Sequence, residues 1–459
     1  MKTLIKNGNI VTSSETFKAD LLIEDEIIKE IGIIDESVAD TVIDATGKLV
    51  MPGAIDAHTH MALRQSEQFT SVDSFYTGGV AAACGGTTTI VDHIAFSPAG
   101  SPLHTSIERY YELAKDCAVD YSFHGVIQYV DDEIIKELEN LVLNEGITSF
   151  KAYSTYSYPM NDEGFLRILK SMKKTGGTLT VHCENDGITN YLQKKFISEG
   201  NTSAKYHPLS RPNNAEAETV ARLIQISELA DDSNLYIVHT SAKESLDQIR
   251  LGRKRGLKNL KVETCPQYLL LTDEEYDKEN AEALKYIMAP PLRKKEDNHA
   301  LWTAVQDATV DVIATDHCPF HHSQKLEGIN AFNKAPGGVA GVEERVRLIF
   351  THGVATNKIS ENQFVKLLCE NPARIFGMYP KKGTLAIGAD ADIMIIDPNE
   401  KDTISKQNLH SVCDYSIFEG FEVSCKIPYV LLRGKILVKD GKFLGEKGYG
   451  KFIKRNPKK

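Results

Sequence analysis

Leu49-Val50-Met51-Pro52-Gly53-Ala54-Ile55-Asp56-Ala57-His58-Thr59-His60 decides how the rest of this chain is read. The apolar run Leu49–Ile55 predicts a buried strand, and the polar residues that follow predict its end. Side chains alternate faces along a strand, so His58 and His60 project to one side. Two imidazoles side by side at a strand end make half of a metal site. A lone His-x-His is as easily a polar exit from a strand, so its meaning depends on matching strand ends elsewhere.

Such ends recur through the middle of the chain. Short β-like segments alternate with amphipathic helical stretches. The segments are 54–60, 87–93, 121–127, 148–153, 179–182, 235–239, 261–264 and 310–315. Helices are predicted between them over 106–114, 165–174, 215–229 and 245–255. Eight strand–helix units predict an α/β fold of the (β/α)₈ barrel type. A doubly wound open sheet would need a glycine-rich phosphate turn. Gly85-Gly86 instead precedes a strand and reads as a helix-ending turn.

Both chain ends have a β-rich texture, with Asn7-Gly8 as a hairpin signal. The domain expectation is therefore a small β-sandwich built from 1–52 and 379–440, a catalytic barrel over 53–378, and a basic tail over 441–459. The 459 residues suffice for that arrangement, and 42% hydrophobic with 25% charged residues fits a water-soluble globular chain. A net charge of −10 argues against nucleic acid or an anionic membrane as partner. No apolar run reaches bilayer-spanning length, and the start turns polar too early for a signal peptide. Eight scattered cysteines predict reduced thiols and a cytoplasmic location.

In barrels the active site lies at the C-terminal ends of the strands. Those ends carry His58 and His60, Lys151, His182, His239 and Asp316. Four buried histidines with an aspartate are costly unless they bind something, so the cluster points to a metal site. Lys151 lies inside a strand, where burial favours its neutral amine. A neutral amine can add carbon dioxide and become an anionic carbamate able to bridge two cations.

Several stretches resemble the dihydropyrimidinase and D-hydantoinase family of cyclic amidohydrolases. They are Gly53–His60, Gly85–Asp92, Asp120–Gly125, Glu263–Leu271, Thr315–Phe320 and Asn371–Gly377. Phe123–Gln128 leans toward the bacterial D-phenylhydantoinase branch. The resemblance implies two Zn2+ per subunit. His58, His60 and Asp316 would hold one, His182 and His239 the other, and carbamylated Lys151 would bridge them. It implies a catalytic role for Asp316 as proton shuttle and for Tyr156 as donor to the developing oxyanion. It also implies backbone contacts to the substrate ring at Ala289 and Gly337, where the family usually has serine and asparagine. The small-molecule substrate would be a 5-substituted hydantoin or a dihydropyrimidine, opened to an N-carbamoyl amino acid, and the assembly a homotetramer.

Allantoinase and dihydroorotase share this metal logic. Dihydroorotase-like chains usually place an arginine two residues after the second histidine, where this chain has Ala62, with Arg64 nearby. Collapsin response mediator proteins keep the fold as scaffolds without metal ligands, whereas this chain keeps every ligand. The loop Ala152–Met160, with three tyrosines, predicts a pocket wall formed by Tyr153 and Tyr158 for an aromatic ring substituent.

Overall fold

The computed structural model describes residues 2–458. Its centre is an eight-stranded parallel sheet. In chain order the strands are β1 (Ala54–Thr59), β2 (Thr87–His93), β3 (Asp120–Val126), β4 (Ser149–Tyr153), β5 (Thr178–His182), β6 (Leu235–Ile237), β7 (Leu260–Thr264) and β8 (Val312–Ile313). Each pairs with the next, and the chain beyond β8 returns to β1. His60 N–H donates to the His317 carbonyl at 2.9 Å, so the sheet closes nearly into a barrel.

The predicted strands are recovered, with the C-terminal ends of β1, β3, β6 and β8 falling one or two residues short. Strand β6 stops before His239 and β8 before Asp316. His239 has φ +36° and Asp316 φ +56°, left-handed values that extended backbone does not allow. The same turn that ends each strand aims the functional side chain inward. The helices also match the periodicity, for example Asp162–Thr175 and Asn213–Leu229.

The opening stretch reads differently in three dimensions. Leu49–Ile55 is not one strand. Leu49–Pro52 belongs to a second sheet and Ala54–Thr59 to the barrel, with Gly53 between. A Cβ at Gly53 would sit 2.2 Å from Thr88 Oγ1, so only glycine fits where the chain passes between sheets. The second sheet has nine strands from both chain ends. Its seam is the antiparallel pairing of Val50 with Ile395 and Met51 with Met394. Ile5, Ile10, Leu21, Ile23, Val50, Ile393 and Leu431 form its own apolar core. Asn7-Gly8 is not a hairpin turn. It is an irregularity within the ten-residue strand Lys2–Val11, where Asn7 takes φ +63° and its N–H bonds Asp20.

A buried charge cluster ties sheet to barrel. Lys382 Nζ lies 2.5 Å from Asp120, 2.7 Å from Asp392 and 3.0 Å from Asp390, and Arg433 also pairs with Asp120. The basic tail is extended, as its composition suggests, but it docks. Phe452 pairs with Tyr121 at the start of β3, and Arg455 is buried beneath the barrel.

Candidate active site

The C-terminal mouth of the barrel opens into a cavity of about 500 Å³. Every sequence-predicted site residue lines it: His58, His60, Lys151, Tyr156, His182, His239, Ala289, Asp316 and Gly337. They come from five strand ends and three loops.

His58 Nε2 and His60 Nε2 each stand 3.0 Å from Asp316 Oδ1. Donor atoms of these three residues lie within 4.8 Å of one another, a spacing that can surround one cation. The close approach of buried His58 Nε2 to Asp316 lacks good hydrogen-bond geometry, as suits an atom free to take a metal. The other ring nitrogen is held firmly: His58 Nδ1 is 2.6 Å from Glu263 Oε1. Glu263 also accepts the Tyr236 hydroxyl at 2.8 Å and the His239 main-chain N–H at 2.9 Å. Burial alone would depress the His58 pKa, but Glu263 and Asp316 overcome it and raise it to about 9. A cation replacing that proton would meet the same two carboxylates.

The second pair is His182 and His239. His182 Nδ1 lies 2.9 Å from His239 Nε2, and His182 Nε2 lies 2.8 Å from Glu184. Glu184 is in turn paired with Arg211. Burial would raise the Glu184 pKa, but Arg211 and His182 hold it down at about 2. Lys151 is 1% exposed, and among the described residues no carboxylate is in hydrogen-bond contact with it. Burial lowers its pKa to about 8, against the opposing pull of Asp316 and Glu263. At that value an appreciable share of the amine is neutral at cellular pH.

Tyr156 sits in the loop after β4 at φ +72°, with its ring 4.8 Å from His182 and the Arg211 guanidinium 5.7 Å above it. Three site residues thus hold left-handed backbone, strain that a well-packed scaffold supports where side chains must be aimed. His317 turns away from the cavity. Its Nδ1 accepts main-chain N–H groups from Gly341 and Val342, which leaves Nε2–H for Asp73 at 3.1 Å.

Two expectations change at the pocket wall. Tyr153 lines the cavity, but Tyr158 stands behind Phe96, edge-on at 4.9 Å. Phe96, Leu63 and Ile94 supply the apolar surface in its place. Gly337 lines the cavity, but both its polar groups bond the Gln65 side chain, at 2.8 and 3.2 Å. Glu263, Glu184 and Arg211 had no sequence-derived role. The available signal was an acidic residue inside a β-segment, Glu263 within 261–264, which burial makes costly unless partnered.

A barrel whose mouth gathers four histidines, an aspartate and a buried lysine defines a (β/α)₈ hydrolase with a candidate metal centre. The amidohydrolase family profile matches residues 49–437, and the chain belongs to that family. It is 44% identical to D-phenylhydantoinase of Escherichia coli strain K12 over 460 aligned residues, covering all of this chain and 99% of the other. The structure of dihydropyrimidinase from Brevibacillus agri NCHU1002 superposes with a TM-score of 0.97 at 40% identity, covering 100% and 99% of the two chains. L-Hydantoinase from Arthrobacter aurescens superposes at 0.89 with 29% identity and 99% coverage of both.

Proposed function

We propose that this chain is a zinc-dependent cyclic amidohydrolase that opens 5-substituted hydantoins or dihydropyrimidines to N-carbamoyl amino acids. The observation that carries the reading is the convergence of His58, His60, Asp316, Lys151, His182 and His239 on one cavity. That donor set suits two Zn2+ ions, with His58, His60 and Asp316 on one side, His182 and His239 on the other, and the Lys151 carbamate between. The ions would supply Lewis acidity and a water molecule that ionises near neutral pH.

The chain's own groups do the rest. Asp316 takes the proton of the attacking water and returns it to the departing ring nitrogen. The Tyr156 hydroxyl donates to the oxygen that becomes anionic as the ring carbonyl is attacked. Backbone groups at Ala289 and Gly337 hold the ring; Gln65 engages the Gly337 N–H, while the Gly337 carbonyl keeps a second lone pair for the ring. Phe96, Leu63 and Tyr153 receive the substituent on the ring carbon. The names of the relatives, which include a D-phenylhydantoinase and a dihydropyrimidinase, support this substrate class.

The eight cysteines are free, in keeping with a reducing compartment. Among the described residues no helix is long and apolar enough to cross a membrane. A cytoplasmic homotetramer is the proposed working form.

The test is metal analysis followed by a hydrolysis panel with zinc present: 5-phenylhydantoin, dihydrouracil, allantoin and dihydroorotate. Two zinc ions per chain with ring opening of the first two compounds is the expected result. Absence of bound metal would instead favour a non-catalytic scaffold, and turnover of only allantoin or dihydroorotate would reassign the substrate.

A further inference from the structure

The C-terminal tail places a charged side chain inside the barrel floor. Tyr121 N–H donates to Lys451 O at 3.0 Å and Ile453 N–H to Tyr121 O at 2.7 Å, so the tail adds to the start of β3. Arg455 N–H then bonds Gly146 O at 2.9 Å, and Asn456 N–H bonds Gly377 O at 3.0 Å. A Cβ at Gly377 would fall 1.9 Å from Asn456 O, so the floor is shaped to admit this strand closely.

Arg455 is 2% exposed. Its Nε donates to Ser122 Oγ at 2.8 Å, its Nη1 to Ser149 Oγ at 2.7 Å, and its Nη2 to the Phe123 carbonyl. No described carboxylate pairs with it, and burial lowers its pKa to about 9. A buried guanidinium satisfied only by neutral acceptors is expensive to keep. Stability alone would be served as well by an apolar side chain of similar volume.

What the guanidinium does is visible one step inward. Ser149 Oγ lies 2.6 Å from His124 Nδ1, and His124 Nε2 lies 3.0 Å from Ala57 O. A carbonyl can only accept, so Nε2 carries a proton. Nδ1 is then free to accept from the Ser149 hydroxyl, whose oxygen already accepts from Arg455. The hydrogen bonds run one way, from Arg455 to Ser149, from Ser149 to His124, and from His124 to Ala57 O. The last acceptor is the carbonyl of the peptide bond that joins Ala57 to His58. His124 also stacks on His93 at 4.1 Å between ring centres, and His93 lies 4.2 Å from His58.

We propose that Arg455 is a positioning residue for the metal-ligand strand: through Ser149 and His124 it fixes the Ala57–His58 peptide, and with it His58, from beneath the barrel. The inference rests on the proposed role of His58 as a metal ligand. Glu263 orients the His58 ring from the side, and the relay sets the height of its backbone. Groups that orient metal ligands this way commonly govern metal affinity by 10- to 100-fold.

The experiment measures release of zinc from the loaded, full-length enzyme to a chromophoric chelator, with the melting temperature measured alongside. Ser149→Ala breaks the relay while Arg455 keeps Ser122 and Phe123. Ser122→Ala removes an Arg455 contact that is not on the relay. Zinc release about tenfold faster in Ser149→Ala and Arg455→Met, with Ser122→Ala like the parent, is the expected result. Equal release from Ser149→Ala and the parent overturns the relay, as does equal acceleration by the two serine variants. Arg455→Met that melts lower but keeps its zinc has the same consequence. Should Arg455→Met fail to fold, the serine pair decides, since both leave the tail anchored. A parent enzyme that holds no zinc at all would sink the metal reading of His58, and the relay with it, which distinguishes that failure from failure of the relay alone.

Discussion

Glu263 Oε1 lies 2.6 Å from His58 Nδ1 and accepts the His239 main-chain N–H at 2.9 Å. One carboxylate thus orients a residue from each half of the candidate metal centre. It fixes the His58 proton on Nδ1 and leaves Nε2 facing Asp316. Glu263→Gln retains the shape but can offer the wrong edge of its amide to His58. Metal affinity is expected to fall roughly 10- to 100-fold, with the fold intact. Chelator competition measures it, and an unchanged affinity would remove Glu263 from the site.

Lys151→Ala is expected to lose activity and the second metal ion together. Lys151→Arg should fail equally, because guanidinium stays protonated and cannot form a carbamate. The loss should exceed roughly a thousandfold in kcat/KM, since several kcal/mol of charge stabilisation go with the bridge. Metal analysis of the purified variants checks this. Two tightly held zinc ions in either variant would refute the bridging role.

Asp316→Asn should fold normally and lose about 10²- to 10⁴-fold in kcat, because an amide cannot shuttle a proton. His317 is not a substitute base, since it is turned toward Asp73 and the Gly341–Val342 backbone. His317→Gln should therefore leave the pH profile of turnover unshifted even where it costs stability.

Substrate choice should follow Phe96. Burying a phenyl group against it is worth about 2 kcal/mol, or roughly thirtyfold in kcat/KM for 5-phenylhydantoin over dihydrouracil. Phe96→Ala should erase most of that preference. Tyr158→Ala should erase part of it, through loss of the edge-on contact that holds Phe96. A preference for dihydrouracil that neither variant alters would restore plain dihydropyrimidinase chemistry.

Lys382→Met should destabilise the chain by about 3–5 kcal/mol, because Asp120, Asp390 and Asp392 would be left buried around an uncharged side chain. Denaturant unfolding reads the loss directly. A variant as stable as the parent would mean that Arg433 alone neutralises the cluster.

The barrel, and the polar residues that gather at its mouth, were legible in the sequence, because both follow from local rules. Strand periodicity of two puts His58 and His60 on one face. Alternation of strands with helices predicts the closed parallel sheet, and the barrel rule puts strand ends at the site. Other features depend on residues far apart in the chain meeting in space. Leu49–Ile55 has the hydrophobicity of one strand, yet Gly53 divides it between two sheets because Thr88 leaves no room for a side chain there. Tyr158 has the composition of a pocket wall, but Phe96 from another loop takes the cavity face. Glu263 becomes the clamp on His58 only when β7 comes around to β1. Arg455, in a tail whose composition suggests a solvated arm, is buried because the floor of the barrel supplies three acceptors from β3 and β4. The sequence by itself determined which chemistry the mouth can hold. Tertiary structure alone decided what holds that chemistry in place, since buried polar partners are chosen by proximity after closure, and no local period records it.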